Sequence, residues 1–161
     1  MQRFLSDADK KRTVAGEMLA RQMISKHLNL PEEDILFAQT KGGKPYAQGL
    51  PVCFSISHSS DKVVCAVSDK SIGVDIEKLR PLKPGMVSRV CSEKEREYVL
   101  CITEEEERAI RFLKLWTLKE AYFKCFGGER NFKEIDALAH IDCAKLTDDG
   151  YILSVIEEES K

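Results

Sequence analysis

The 161-residue chain has one tryptophan, three histidines, five prolines and only 7% aromatic residues. It has no apolar run near the roughly 18–20 residues that cross a bilayer, so no membrane association through a spanning helix is expected. It has no surplus of either charge: Lys and Arg number 25, Asp and Glu 27, for a net charge of −2. That balance argues against broad electrostatic binding to nucleic acid. There is no Cys-x-x-Cys pair and no two histidines stand at metal-site spacing, so a zinc site is not expected. There is no low-complexity segment and no internal repeat. The opening residues, MQRFLSDADKKR, show no apolar segment followed by a small-residue cleavage site; no secretory signal is read there, and a cytoplasmic protein is expected.

A hydrophobic content of 43% is enough for a core. The length suits one unit or two small lobes. The cysteines Cys53, Cys65, Cys91, Cys101, Cys125 and Cys143 are even in number, but without a secretory signal they are expected as reduced thiols.

Residues 8–28 read as a helix, with Val14, Met18, Leu19, Met23, Ile24 and Leu28 recurring near a period of 3.6. Pro31 ends that pattern, and residues 34–38 form a short strand candidate. Lys41-Gly42-Gly43-Lys44-Pro45 reads as a loop. Three strand-like runs follow. Residues 52–56 alternate, 63–67 are nearly all apolar as in a buried strand, and 72–77 alternate again. Ser92-Glu93-Lys94-Glu95 is a capping-box pattern opening a helix toward Leu100. Thr103 to Glu106 repeats it before a longer helix, roughly residues 108–126, which Gly127-Gly128 stops. A turn at Asp148-Asp149-Gly150 leads into a last strand over 151–156. Strands and helices mixed in this order predict an α+β fold.

Four features carry chemistry. In Gly73-Val74-Asp75-Ile76-Glu77, residues two apart share a strand face, so Asp75 and Glu77 point one way and Val74 and Ile76 the other. Two carboxylates held that close repel, and a hard divalent cation such as Mg²⁺ would relieve the repulsion; a solvated edge strand is the plainer reading. The helix containing Phe112, Leu115, Trp116, Leu118, Tyr122 and Phe123 is apolar nearly all round, so it is expected to be buried and its charges paired or functional. Glu120 and Lys124 stand at i,i+4, which also fits an ordinary surface pair. Ser55-Ile56-Ser57-His58-Ser59-Ser60 leaves a strand in small hydroxyl residues and an imidazole, suited to a phosphate or to a plain polar turn. Ser57 and His58 point to opposite faces and cannot form a nucleophilic pair. Lys11, Arg12, Lys41 and Lys44 form a possible anion-binding rim, although the Gly-Gly-Lys run lacks P-loop spacing.

In this order the segments resemble an Sfp-type 4′-phosphopantetheinyl transferase. The resemblance rests on Arg12-Thr13, Gly43-Lys44-Pro45, Phe54-Ser55-Ile56-Ser57-His58-Ser59, Ile72-Gly73-Val74-Asp75-Ile76-Glu77, Ser92-x-x-Glu95 and Trp116-x-x-Lys119-Glu120-Ala121-x-x-Lys124. It implies transfer of the phosphopantetheine arm of coenzyme A to a serine of an acyl or peptidyl carrier protein, in fatty-acid, polyketide or nonribosomal peptide assembly, with release of adenosine 3′,5′-bisphosphate. It implies Mg²⁺ held by Asp75, Glu77 and Glu120, with Lys124 on the phosphate that reacts. It implies a coenzyme A grip from Arg12, Thr13, Lys44, Pro45, Ser57, His58, Lys119 and Lys124. Glu120, then Glu95, is the expected base, with Glu95 equally able to serve as a cap. The fold it implies is a pseudo-dimer of two similar α+β lobes, residues 1–71 and 72–161, with the site in the cleft between them; such a chain would be a monomer. Against the family pattern, the start is short, matching only from Arg3-Phe4, and so is the end. Residues 125–132 and beyond are expected to help contact the carrier. Ser55 stands where relatives often carry Asn. Alternatives are a non-catalytic relative that binds coenzyme A or a carrier, and a Mg²⁺-dependent pyrophosphate hydrolase on another fold.

Overall fold

The computed structural model describes residues 7–128 and 131–159; Arg3-Phe4 and the Glu129-Arg130 part of the expected loop lie outside the described residues. Helix α1 (Asp7–Leu28) turns small side chains inward. Gly16, Ala20 and Ile24 are buried, whereas Val14 and Met18 are 56% and 66% exposed. This corrects the face expected from the largest apolar residues. A Cβ at Gly16 would stand 2.8 Å from Ile56 Cγ2, so the helix lies too close to the sheet for a bulkier face.

After a 3-10 turn at Glu32–Asp34, the strands β1 (Phe37–Gln39) and β2 (Pro45–Ala47) pair antiparallel. The expected strand over 34–38 therefore starts later, because Glu32 to Asp34 close a turn. Strands β3 (Cys53–Ser59) and β4 (Lys62–Ser68) form an antiparallel hairpin in register from Cys53↔Ser68 to Ser59↔Lys62. Along β4 the run 63–67 is half-buried, not buried, since it is packed mainly through α1. Ala20, Ile24, Ile35, Ala47, Val52 and Phe54 make the first core.

The second half begins with β5 (Ile72–Lys78) and continues through three helices, α2 (Met86–Val90), α3 (Glu93–Leu100) and α4 (Glu105–Phe126). It closes with β6 (Ala144–Leu146) and β7 (Tyr151–Glu157), giving a three-stranded antiparallel sheet in the order β5-β7-β6. Its core includes Val99, Phe112, Leu115, Leu118 and Ile152. The fold is α+β, as expected.

Both halves of the capping box of α3 are present: Ser92 N–H donates to Glu95 Oε2 at 2.7 Å, and Glu95 N–H to Ser92 Oγ. The second expected box does not form. Glu104 is the N-cap of α4 and makes no side-chain cap. Arg108 instead reaches back to the Ile102 carbonyl, and Glu105, Glu106 and Glu107 favour the positive end of the helix. At the other end Gly127, at φ 69°, lets its N–H return to Phe123 O at 2.8 Å.

Two clamps join the halves. At one end of the hairpin Tyr151 donates its hydroxyl hydrogen bond to Asp61, and Lys62 pairs with Asp149. The Lys62 ammonium is the main reason the Asp149 carboxyl is pulled down to about 2. At the other end Ser68 donates to Glu157.

Two outcomes follow from this packing. A Cβ on Gly73 would lie 1.9 Å from Ala121 O and 2.7 Å from Cys125 N, both backbone atoms. Gly73→Ala should therefore lower unfolding stability by about 3 kcal/mol or more, the upper end for overpacking, as read by urea denaturation. The six cysteines are free; Cys101 and Cys143 are exposed, and burial pushes the Cys91 thiol up to about 11. Iodoacetamide at pH 8 should label Cys101 and Cys143 first and leave Cys91 and Cys125 until denaturant is added, as mapped by peptide mass.

Candidate functional site

The two cores meet along β3 and β5. These strands run side by side, but β5 pairs through its backbone with β7 on its other edge. Serine hydroxyls span the gap. Val74 N–H donates to Ser55 Oγ at 3.1 Å, Ile76 N–H to Ser57 Oγ at 3.3 Å, and Lys78 N–H to Ser59 Oγ at 3.0 Å. Ser57 then donates to Asp75 Oδ1 at 2.8 Å and Ser59 to Glu77 Oε2 at 3.0 Å. Asp75 is only 6% exposed, so the reading of β5 as a solvated edge strand fails.

A carboxylate buried that far needs a compensating charge. Lys124 supplies it: its ammonium stands 2.7 Å from Asp75 Oδ1 and donates to Val74 O at 2.9 Å. Gly73 makes this reach possible by letting β5 lie against the backbone of α4. Lys44, from the loop before β2, crosses from the first half to donate to Lys124 O. That carbonyl belongs to the last turn of α4, where backbone acceptors lack intrahelical partners and the dipole favours a cation. Glu120 lies one turn before Lys124 on α4 and is half-buried. Glu77 also faces Arg80, at 3.6 Å.

The structure thus brings Lys44, Ser57, Asp75 and Lys124 into one connected network. A second group lies on the α1 side of β3. His58 shares the face of Ile56, which packs against Gly16, and is exposed. Arg12 donates to Ser60 O at 3.1 Å and pairs with Asp9, while its Nε is buried without a hydrogen-bond partner among the described residues. An orphaned guanidinium donor beside a hairpin turn is chemically ready for an anion. Thr13 is exposed and donates to Asp9 O within its own helix. Pro45 is the first residue of β2, opposite Gln39, and its carbon side chain offers only apolar contact.

Glu95 and Lys119 lie in the second core. Their side chains are 1% and 0% exposed and pair at 2.9 Å. Lys119 also donates to the carbonyls of Phe132 and Ile135, which accounts for all three ammonium protons. Glu95 further accepts from Ala137 N–H at 3.1 Å and, as the cap, from Ser92 N–H. The pair therefore ties α3, α4 and the segment after α4 together.

Asp75, Glu77 and Glu120 offer only hard oxygen donors, and that donor chemistry suits Mg²⁺. No group of three His, Cys, Asp or Glu side chains among the described residues is gathered to hold an ion, and Asp75 Oδ1 is taken by Lys124 and Ser57. Ser55, Ser59 and Arg80 were not singled out for these contacts by the sequence. The alternation Ser55-x-Ser57-x-Ser59 was the available signal, since it places three hydroxyls on one strand face.

Removing one partner of a fully buried ion pair costs about 3–5 kcal/mol, because the other charge is left uncompensated. Glu95→Ala should show a loss of that size in urea unfolding, and Glu95→Gln a smaller one because the capping contact can persist.

Comparison with known proteins covers both halves. Residues 71–161 match the family model of the 4′-phosphopantetheinyl transferase superfamily, and residues 1–70 match one described as 4′-phosphopantetheinyl transferase, N-terminal. The chain is 38% identical to the 4′-phosphopantetheinyl transferase psf-1 of Bacillus pumilus over 149 residues, 92% of this chain and 60% of that protein. It is 37% identical to the 4′-phosphopantetheinyl transferase Sfp of Bacillus subtilis (strain 168) over 123 residues, 76% of this chain and 54% of that one. A more distant relative is the L-aminoadipate-semialdehyde dehydrogenase-phosphopantetheinyl transferase of Xenopus laevis, 31% identical over 140 residues, 77% of this chain and 46% of that protein. The chain thus spans between about half and 60% of the length of these relatives. On these matches, with the Asp75–Lys124 pair set between its two halves, the chain belongs to the 4′-phosphopantetheinyl transferase superfamily.

Proposed function

We propose that the chain transfers the 4′-phosphopantetheine arm of coenzyme A to a serine hydroxyl of an acyl or peptidyl carrier protein. In the step, the serine oxygen bonds to the phosphorus that carries the arm. The pyrophosphate P–O bond breaks, and adenosine 3′,5′-bisphosphate leaves with the electron pair. The observation that carries this reading is the Lys44–Lys124–Asp75–Ser57 network, which joins residues of both halves around a cation.

Arg12 and His58 sit on the α1 side of the hairpin, where Arg12 Nε, without a hydrogen-bond partner among the described residues, offers a donor to a phosphate. Lys44 and Lys124 offer two further cations along the junction. Lys124 would stabilise negative charge developing on the phosphate in the transition state. Asp75, Glu77 and Glu120 are the residues that would hold Mg²⁺, which when bound neutralises charge on the pyrophosphate. Glu120, half-buried one turn before Lys124 on α4, is the favoured acceptor for the serine proton. Glu95 is less suited, being sealed in the second core with Lys119 on its carboxylate. The two lobes of this reading are the two halves described above, with coenzyme A between them and no second chain needed.

The surface proposed for the carrier is a groove of about 740 Å³ running from Arg80 across the segment before α2 to the start of α4. Its floor is apolar, with Leu79, Leu82 and Val87, and Lys83 and Arg96 stand on its walls. Arg80, which lines the groove, also pairs with Glu77 at 3.6 Å, so one end of the groove lies next to a candidate metal-holding carboxylate. On this reading the carrier would sit nearer residues 79–109 than the tail expected from the sequence.

The test is the intact mass of an apo acyl carrier protein incubated with this chain, coenzyme A and Mg²⁺, with an EDTA control. A gain of one phosphopantetheine arm is expected, lost with EDTA and lost in Asp75→Ala. Coenzyme A binding without any gain across fatty-acid, polyketide and peptide carriers would overturn transfer in favour of a binding relative.

A further inference from the structure

We propose that Ser59, together with Ser57, is a positioning residue for the β5 carboxylates: each hydroxyl takes an amide proton of β5 on its oxygen and gives its own proton to the carboxylate beside it. This rests on the reading of Asp75 and Glu77 as metal-holding groups.

The contacts have a regular geometry. Ser55, Ser57 and Ser59 each accept from the N–H nineteen residues on, at Val74, Ile76 and Lys78. Ser57 and Ser59 each donate to the carboxylate eighteen residues on, at Asp75 and Glu77. The two strands therefore advance in step, in the same direction. A hydroxyl has one proton and an amide can only donate, so the sense of each bond is fixed. The amide N–H must be accepted by the serine oxygen, and the serine proton is left for the carboxylate. The free N–H row that an edge strand presents is thereby converted into a row of hydroxyl donors aimed at two acids.

The consequence is an asymmetry within each carboxylate. Asp75 Oδ1 is held by Ser57 and Lys124, and Glu77 Oε2 by Ser59 and Arg80. Asp75 Oδ2 and Glu77 Oε1 accept no hydrogen bond among the described residues. One oxygen of each group is thus fixed and the other is left for a ligand. Partners that orient a metal ligand in this way typically change affinity about 10–100-fold when removed.

Ser55 is the built-in control. It makes the same amide contact, but the residue eighteen positions on is Gly73, which has no carboxylate. Ser55→Ala removes a rung of the junction and nothing else of this device.

The experiment titrates Mn²⁺ against the metal-free chain, without coenzyme A, by electron paramagnetic resonance, and follows amide exchange of β5 by NMR. Ser59→Ala should weaken Mn²⁺ binding about tenfold and speed exchange at Lys78, and Ser59→Thr should restore both. Ser55→Ala should speed exchange at Val74 and leave Mn²⁺ binding within about twofold, too small a change for an orienting partner. If Ser59→Ala binds Mn²⁺ like the parent while Glu77→Ala does not bind it, the metal reading stands and this inference is overturned. If Ser55→Ala weakens Mn²⁺ binding as much as Ser59→Ala, the serines serve only the junction and the inference is again overturned. If Glu77→Ala also binds like the parent, the metal reading falls and takes this inference with it.

Discussion

The backbone contact between β5 and α4 at Gly73 is the constraint from which the rest of the junction is built. Because no side chain separates them, the strand lies against the Ala121 carbonyl and the Cys125 amide. Only at that distance can Lys124 reach both Val74 O and Asp75 Oδ1. The same approach carries the end of α4 to the first half of the chain, where Lys44 meets the Lys124 carbonyl. A missing side chain thus determines where a positive charge sits, and the charge in turn determines how a nearly buried aspartate is tolerated.

The two halves are joined by polar contacts, with apolar cores on either side. Each core excludes water by itself. Between them lie serine hydroxyls, carboxylates and a lysine, with the Asp61–Tyr151 and Ser68–Glu157 contacts closing the two ends. A neutral hydrogen bond contributes about 0.5–1.5 kcal/mol net, while an unmade buried one costs about 1–3 kcal/mol. Such a junction holds through the penalty for breaking it more than through the gain on forming it. That suits a cleft, because a ligand that replaces one of these partners removes the penalty.

Local pattern was legible and long-range placement was not. The extents of α1, β4 and β5 follow closely from periodicity and from Gly and Pro punctuation, and the α3 cap from Ser92 and Glu95. Strand β3 runs on to Ser59, past the 52–56 expected, because its pairing with β4 continues to Ser59↔Lys62. The inward face of α1 was missed because Gly16 and Ala20 carry little hydrophobic signal; their burial is decided by how closely Ile56 approaches. Helix α2 is only five residues long, too short for a periodic pattern to register. Within the candidate site, the alternation of Asp75 and Glu77 on one face could be read directly. That β3 would lie beside β5, so that its serines meet those acids, depends on a pairing between distant segments that no local window contains.

Lys119 and Lys124 show how one helix can give the same chemistry two fates. Five residues apart at about 100° per residue, they point about 140° away from each other around α4. Lys119 enters the second core and meets Glu95, with both side chains sealed. Lys124 turns to the junction and meets Asp75, keeping 26% of its own side chain exposed. Each lysine compensates a carboxylate that would otherwise be buried alone. The first pair has every proton of its ammonium committed to fixed acceptors, so it cannot exchange partners without opening the core. The second keeps part of its lysine open to solvent, so under the proposed function that lysine would be free to exchange the carboxylate for a phosphate. Burial, more than residue type, divides the lysines of this segment into a sealed structural strut and a solvent-reachable cation.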